Sequence, residues 1–360
     1  MSAYVTIESV TLAQRIGMKL FSISRRTLES ELDPLVKNPE LRAKQLYQGV
    51  YQNNAGSIAA IEDIAVDERL VLNKHVKIQD CTPLWVQDSD DGSRKYLFDF
   101  GDGAHVESVL IEQPTRHTLC VSSQVGCALG CRFCQTGTMG LARNLTVEEI
   151  VQQFVGVRDD AAKRDIVYSN VVFMGMGEPL HNLENVLEAI RIVTDDFGLG
   201  LSARRITVST AGLVPGIECL ANSDVDVNLA VSLNATTDRV RSAIMPINTR
   251  YSLGELIDAL RSMSLRPGKR IVIEYVLMAG VNDSPEDLSR LPQLLDGMAV
   301  KINLIPYNEN AGLGFEVPDA DWIEHWKKNL LSAGFVTTVR WSKGRDIDAA
   351  CGQLVAQGAA

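Results

Sequence analysis

The stretch Cys120-Val-Ser-Ser-Gln-Val-Gly-Cys127-Ala-Leu-Gly-Cys131-Arg-Phe-Cys134 decides how the rest of the chain is read. Its last three thiols fall within eight residues at Cys-x3-Cys-x2-Cys spacing, behind an apolar β-type run at His117 to Val121 and ahead of a helix start at Thr146. Thiolates favour zinc or iron–sulfur clusters over harder ions. A structural zinc site needs a fourth Cys or His at finger-like spacing, and none follows. A [4Fe–4S] cluster held by three cysteines leaves one iron open to an outside ligand, which suits catalysis better than scaffolding. The other reading is a zinc or buried-thiol cluster without chemistry.

Outward from this loop the chain settles into repeated strand–helix units. Strands are expected at 118–123, 167–174, 205–209, 227–233, 270–277, 301–306 and 337–341, with helices at 147–163, 183–197, 215–221, 253–263, 285–295 and 322–333. Thr146-x-x-Glu149 and Ser252-x-x-Glu255 are capping boxes, and Ser284-Pro285 supplies an N-cap with a first-turn proline. Apolar strands alternating with helices predict a parallel sheet covered on both faces, with ligands at the carboxyl ends of its strands. The cysteine loop, Gly175-Met176-Gly177-Glu178-Pro179, Ser209, Ser232-Leu233-Asn234 and Asn308 all fall at such ends. Spacing alone fits either a barrel or a doubly wound sheet.

Upstream, Leu28, Leu32 and Leu35, then Leu41, Leu46 and Val50, recur at helical spacing, and a further helix is expected at 68–74. Period-two alternation around Gly101-Asp102-Gly103 predicts a hairpin. The chain therefore divides into a helical accessory unit (1–95), a hairpin and linker (96–115), an α/β catalytic domain (116–354) and a tail (355–360).

The composition, 46% hydrophobic and 22% charged over 360 residues, supports a full core. No apolar run approaches the ~18 residues of a membrane span, and Met1 to Ile16 has no secretory pattern. Seven cysteines, clustered and odd in number, argue for a reducing cytoplasm over a disulfide framework. The net charge of −10 does not suggest a nucleic-acid partner. Phosphate contacts need only local cations, for which Arg25-Arg26, Arg42, Lys44, Arg143, Arg204-Arg205, Lys343 and Arg345 are candidates, as are ordinary solvated charges.

With Phe133 before its last cysteine, the loop resembles the cluster loop of radical S-adenosylmethionine (SAM) enzymes. Residues 120–127 (CVSSQVGC), 175–179 (GMGEP), 303–308 (NLIPYN) and 346–354 (DIDAACGQL) together resemble the RlmN/Cfr RNA adenine methyltransferases, from about Arg116 to Leu354 and more loosely upstream. The resemblance implies an α/β fold, a partial (β/α)6 radical SAM barrel with a small helical N-terminal accessory domain that helps hold RNA. By the residues alone, that helical piece is equally a packing cap.

The resemblance further implies that Cys127, Cys131 and Cys134 bind a [4Fe–4S] cluster whose free iron takes the amino and carboxylate groups of SAM. Gly177 and Glu178 would meet the SAM amino group, although a tight strand-to-helix turn would carry the same residues. Ser209, Ser232, Asn234 and Asn308 would complete the SAM site. Asn234 stands where the family pattern has His, and an amide does not titrate near neutral pH.

Cys351 would accept a methyl group from one SAM, and a radical made from a second SAM would carry that carbon onto an adenine ring carbon. Cys120 would resolve the adduct and end in a disulfide with Cys351, which requires the two to lie close together. Glu107 matches a proton acceptor, while a strand carboxylate facing solvent is its other reading. Cys81 and Cys219 are taken as structural thiols, and His75, His105, His117, His181 and His325 show no ligand spacing.

The implied reaction is methylation of adenine C2 in 23S rRNA, with tRNA a second substrate, by a monomer fed by a reductant such as flavodoxin. Asp346-Ile347-Asp348 is closer to the RlmN branch than to the C8-methylating Cfr branch. A noncatalytic Fe–S RNA-binding protein would not need Cys120 and Cys351. A radical SAM enzyme of small molecules is disfavoured by the helical unit and by Cys351.

Overall fold

The computed structural model describes residues 17–310 and 312–356. The N-terminal stretch read above for a leader, and residues 357–360 of the tail, lie outside the described residues.

One ten-stranded sheet organises the molecule. Its strands are β1 (Trp85–Asp88), β2 (Arg94–Asp99), β3 (His105–Gln113), β4 (Arg116–Cys120), β5 (Tyr168–Phe173), β6 (Ile206–Thr210), β7 (Asn228–Ser232), β8 (Ile271–Leu277), β9 (Val300–Pro306) and β10 (Val336–Val339). They sit in chain order from one edge to the other, antiparallel from β1 to β4 and parallel from β4 to β10. A doubly wound sheet requires a reversal of strand order, which is where its crevice forms. A monotonic order winds every crossover the same way, so the sheet curls toward a barrel. The doubly wound alternative falls and the partial barrel stands. Helices follow each strand from β4 to β9, giving six βα units, and β10 adds a final parallel strand.

The local signals act as their chemistry predicts. Thr146 Oγ1 accepts from Glu149 N at 3.3 Å while Glu149 Oε2 accepts from Thr146 N at 2.8 Å. The same reciprocal pair forms between Ser252 and Glu255. Each such cap stabilises a helix start by about 1 kcal/mol. Three features differ from expectation. Residues 96–115 are no linker, because β2 and β3 pair directly into the main sheet and bury Val106, Val109 and Leu110. A seven-residue helix, Asp238–Ile244, lies below the length at which periodicity is readable. A small hairpin, Gln124–Cys127 with Gly140–Asn144, brackets the cysteine loop.

The N-terminal unit carries three helices (Arg25–Leu32, Pro39–Tyr47 and Val66–His75), and it meets helix Val147–Ala162 and the turn at 195–198 through residues 19–25 and 52. Arg25 pairs with Asp195 at 3.0 Å, Lys19 with Glu148 at 2.6 Å, and Gln52 Nε2 donates to Asp196 O at 2.8 Å. Gly156 makes the close approach possible, since a Cβ there would stand 2.1 Å from Cys81 O. Cys81 is buried at this junction, whereas Cys219 is exposed. No helix among the described residues is long and apolar enough to cross a membrane.

Gly156→Ala should therefore destabilise the protein by about 1–3 kcal/mol through overpacking. An unchanged denaturation midpoint would contradict this docking geometry.

Candidate active site

A cleft opens at the carboxyl ends of the parallel strands. Into it face Cys127, Cys131 and Cys134 from the loop after β4, Gly177 and Glu178 after β5, Ser209 on β6, Ser232 on β7, Asn308 after β9, and Cys351 from the C-terminal segment. Asn234, Cys120 and Glu107 do not line it.

The loop after β4 is fixed before it reaches its cysteines. Val121 to Gln124 are all buried, and Ser123 N and Gln124 N donate to Met176 O at 2.8 and 3.2 Å. Ser122 Oγ accepts from Met176 N at 2.8 Å and donates to Glu107 O at 2.6 Å. Gln153, wholly buried in helix Val147–Ala162, accepts from Ser108 Oγ and Ser122 N and donates to Ser122 O. The glycines opposite permit this contact: a Cβ on Gly175 would meet Val121 O at 2.7 Å, and one on Gly177 would meet Gln124 Cβ at 2.5 Å. Gly177 also has φ of +99°, a conformation that costs glycine nothing. His181, the histidine nearest this motif, lies 3.5 Å from Gln124 Nε2.

The three thiols suit a cluster. Burial raises each above the ordinary thiol range, and Cys131 is opposed further by the charges of Cys134 and Cys127, which places the three as neighbours. Metal coordination deprotonates such a thiol outright and removes that cost. Gly137 lets the loop fold under itself, since a Cβ would stand 2.8 Å from Cys131 O. Among the described residues no group of three His, Cys, Asp or Glu closes on a single metal ion. A cubane binds each thiolate at a different iron and asks for no such convergence.

Glu178 is 3% exposed, and burial pushes it up to about 7, although the N–H groups of Ala211 and Leu180 and the Thr210 hydroxyl pull the other way. Asn234 is wholly buried with φ of +55°, which asparagine tolerates better than most residues. Its Oδ1 accepts from Val276 N at 2.8 Å and its Nδ2 donates to Met245 Sδ at 3.4 Å, so it braces the loop from behind.

The C-terminal segment is clamped at both ends of its motif. Asp346 accepts from Ser89 Oγ at 2.5 Å and from Asp90 N at 2.9 Å. Asn308 Nδ2 donates to Cys351 O at 3.0 Å, Gln135 N to Gly352 O at 2.8 Å, and Thr136 Oγ1 to Leu354 O at 2.6 Å. Glu107 is not the solvent-facing carboxylate of one reading. It is 1% exposed, pairs with Lys95 at 3.1 Å, and accepts from Val355 N and Ala356 N at 3.0 and 3.2 Å.

Cys351 is open to the cleft, and burial by the surrounding protein still raises its thiol to about 11, against the pull of Arg340. Cys120 is buried, raised to about 12 by that burial and next by the charge of Cys351, so the two free thiols are electrostatic neighbours.

Arg241 and Arg340 carry work that no sequence motif announced. Arg241 is wholly buried without an ion pair among the described residues, and its guanidinium donates to Ala211 O, Ser232 O, Leu233 O and Asn248 Oδ1. It ties together the ends of β6 and β7, and burial lowers it to about 10. Of the surface cations considered for RNA, Arg25, Arg42 and Arg143 are held by Asp195, Glu68 and by Asp102 with Glu149. Arg204, Arg205, Lys343 and Arg345 remain exposed.

Known proteins resemble this arrangement closely. A sequence profile of the Radical SAM superfamily matches residues 121–291. The protein named Dual-specificity RNA methyltransferase RlmN of Geobacter sulfurreducens is 52% identical over 313 residues, covering 87% of this chain and 85% of its own. Its namesake in Syntrophotalea carbinolica is 46% identical over 341 residues, covering 94% and 90%. The chain belongs to the RlmN family. A solved radical SAM methyltransferase from Sphaerobacter thermophilus superposes with a TM-score of 0.88 at 42% identity, covering 94% of this chain and all of that one. As an RlmN-family member, the chain is a SAM-dependent RNA methyltransferase of the radical type, whose chemistry uses a [4Fe–4S] cluster and SAM.

Glu107→Gln should strand the Lys95 ammonium in the core, at a cost of about 3–5 kcal/mol. It should also speed hydrogen exchange at the Val355 and Ala356 amides. Unchanged exchange there would remove the clamp.

Proposed function

We propose that this chain methylates C2 of adenine in 23S rRNA, and in tRNA as a second substrate, through a methyl group carried on Cys351. The observation that carries the reading is Cys351, which faces the same cleft as Cys127, Cys131 and Cys134 with Cys120 as its electrostatic neighbour. The relatives' name favours two RNA substrates, and it favours the RlmN branch over C8 methylation. A noncatalytic Fe–S protein has no use for an open thiol beside a buried one.

In this reading Cys127, Cys131 and Cys134 hold the [4Fe–4S] cluster, which when bound supplies the electron that cleaves SAM. Glu178 meets the SAM ammonium, and Ser209, Ser232 and Asn308 orient the rest of the molecule. Asn234 acts behind them as a brace. Cys351 Sγ attacks the methyl carbon of a first SAM as the sulfonium–methyl bond breaks, and its thiol proton is lost. Arg340 eases that ionisation against burial. The radical made from a second SAM takes one hydrogen atom from the S-methyl group, and the resulting carbon radical bonds to adenine C2. The adduct gives up the C2 proton and one electron, and Cys120 Sγ then attacks Cys351 Sγ. The sulfur–carbon bond then breaks with its electron pair toward carbon, a proton completes the methyl group, and a disulfide remains.

Both oxygens of Glu107 are already engaged, so it serves better as the clamp of residues 355–356 than as the proton acceptor. The exposed Arg204, Arg205, Lys343 and Arg345 are available to RNA phosphates. A flavodoxin-type donor acting on a cytoplasmic monomer completes the proposal.

Peptide mass spectrometry after incubation with SAM should find one added methyl group on the Cys351 peptide. Cys351→Ala should keep the cluster absorbance and lose RNA methylation. Cys120→Ala should accumulate protein covalently joined to RNA. A fully active Cys351→Ala variant would end the carrier role, and turnover of Cys120→Ala without any adduct would end the resolving one.

A further inference from the structure

Two charged side chains in the cleft lack partners that match them. Glu274, on β8 and 4% exposed, is one of the residues that line the cleft. Its Oε1 accepts from Asn303 Nδ2 at 3.0 Å, and Asn303 is itself oriented by Thr338 Oγ1, which donates to Asn303 Oδ1 at 2.7 Å. Its Oε2 is buried and has no hydrogen-bond partner. An empty acceptor in such a place is costly unless a ligand fills it.

Arg340 follows β10 and lines the same cleft. Its backbone N–H is fixed on Leu304 O at 2.8 Å, but among the described residues its guanidinium donates only to Met174 Sδ, at 3.6 Å. A thioether is a weak acceptor for a group with five N–H donors. Burial raises Glu274 above the ordinary carboxyl range and the charge of Arg340 opposes that, yet the two form no ion pair among the described residues. The cleft thus offers a held carboxylate oxygen and an uncommitted guanidinium, with the apolar faces of Val276 and Ile305 in the same lining.

We infer that Glu274 and Arg340 together read the edge of a 6-aminopurine, the exocyclic amino group donating to Glu274 Oε2 and the adjacent ring nitrogen accepting from Arg340. A 6-oxopurine presents an acceptor where Glu274 needs a donor, so the same pair rejects guanine and hypoxanthine. Two molecules bring a 6-aminopurine to this cleft, the adenine of SAM and the target base. The charge of Glu274 acts on Cys351, which favours the target base. For that source the inference rests on the adenine reading above. It concerns binding only, so it can fail while the methylated product still proves that reading.

The test measures dissociation constants by calorimetry with the full chain and without turnover. One pair of probes is S-adenosylhomocysteine and S-inosylhomocysteine. The other set is an RNA hairpin that the wild-type protein methylates, carrying adenosine, purine riboside or inosine at the modified position. The wild type should prefer the amino form by about tenfold or more in one set. A preference among the RNAs assigns the site to the target base, and a preference between the homocysteines assigns it to SAM.

Because Asn303 keeps its hold on Oε1, Glu274→Gln puts an amide N–H in the place of Oε2. The preference should then vanish or invert toward the 6-oxo form. Arg340→Met should weaken binding of the amino form by about tenfold, and it serves if circular dichroism shows Glu274→Gln to be misfolded. No wild-type preference in either set, or a preference untouched by both substitutions, would overturn the inference.

Discussion

The architecture depends on how the last described segment, residues 344–356, is held against the cysteine loop. The proposed methyl carrier works only if its sulfur stays where both SAM and substrate can reach it, and a segment without regular secondary structure needs such bonds to stay in place. Here the segment is bonded along its length: Gly344 N to Asp91, Asp346 to Ser89 and Asp90, Gly352 O to Gln135, Leu354 O to Thr136, and Val355 and Ala356 to Glu107. The partners come from the β1–β2 turn, from β3 and from the turn after Cys134. The antiparallel extension of the sheet is therefore part of the site, since it holds the residues that dock the carrier.

The same logic governs the strand ends. Parallel strands stop at one edge with carbonyls that need donors, and the ligand cleft leaves little room for water-filled loops. Arg241 supplies three of those donors from one buried guanidinium. Gly175 and Gly177 bring the turn after β5 within contact of the loop after β4, and the buried polar set of Ser122, Gln124 and Gln153 locks the two together. Rigid placement of this kind is what a pathway with reactive intermediates requires of its first ligand sphere.

Much of this is legible in the sequence. The strand–helix alternation placed every parallel strand to within a few residues, because long apolar runs and capping boxes are local signals. The cysteine spacing and the C-terminal motif marked Cys127, Cys131, Cys134 and Cys351 in the same way. Strand order was not local, so period and spacing left a barrel and a doubly wound sheet equally open. The burial of Glu107 was hidden for a related reason: its partners, Lys95 and residues 355–356, are distant in sequence or on another strand. Arg241 and Arg340 carry no motif, and only the fold reveals that one is buried among carbonyls and the other faces the cleft. One further signal lies in the sequence. Ser122-Ser123-Gln124, a polar run directly behind an apolar strand, announced a buried network at the strand end.

The central claim is that the Cys351 sulfur delivers a carbon to adenine C2. It is tested most directly by mass spectrometry of nucleosides from ribosomal RNA incubated anaerobically with the reconstituted protein, SAM and a reductant. The account predicts 2-methyladenosine from the wild type and none from Cys351→Ala. Appearance of 8-methyladenosine, or SAM cleavage with no methylated adenosine at all, would contradict it.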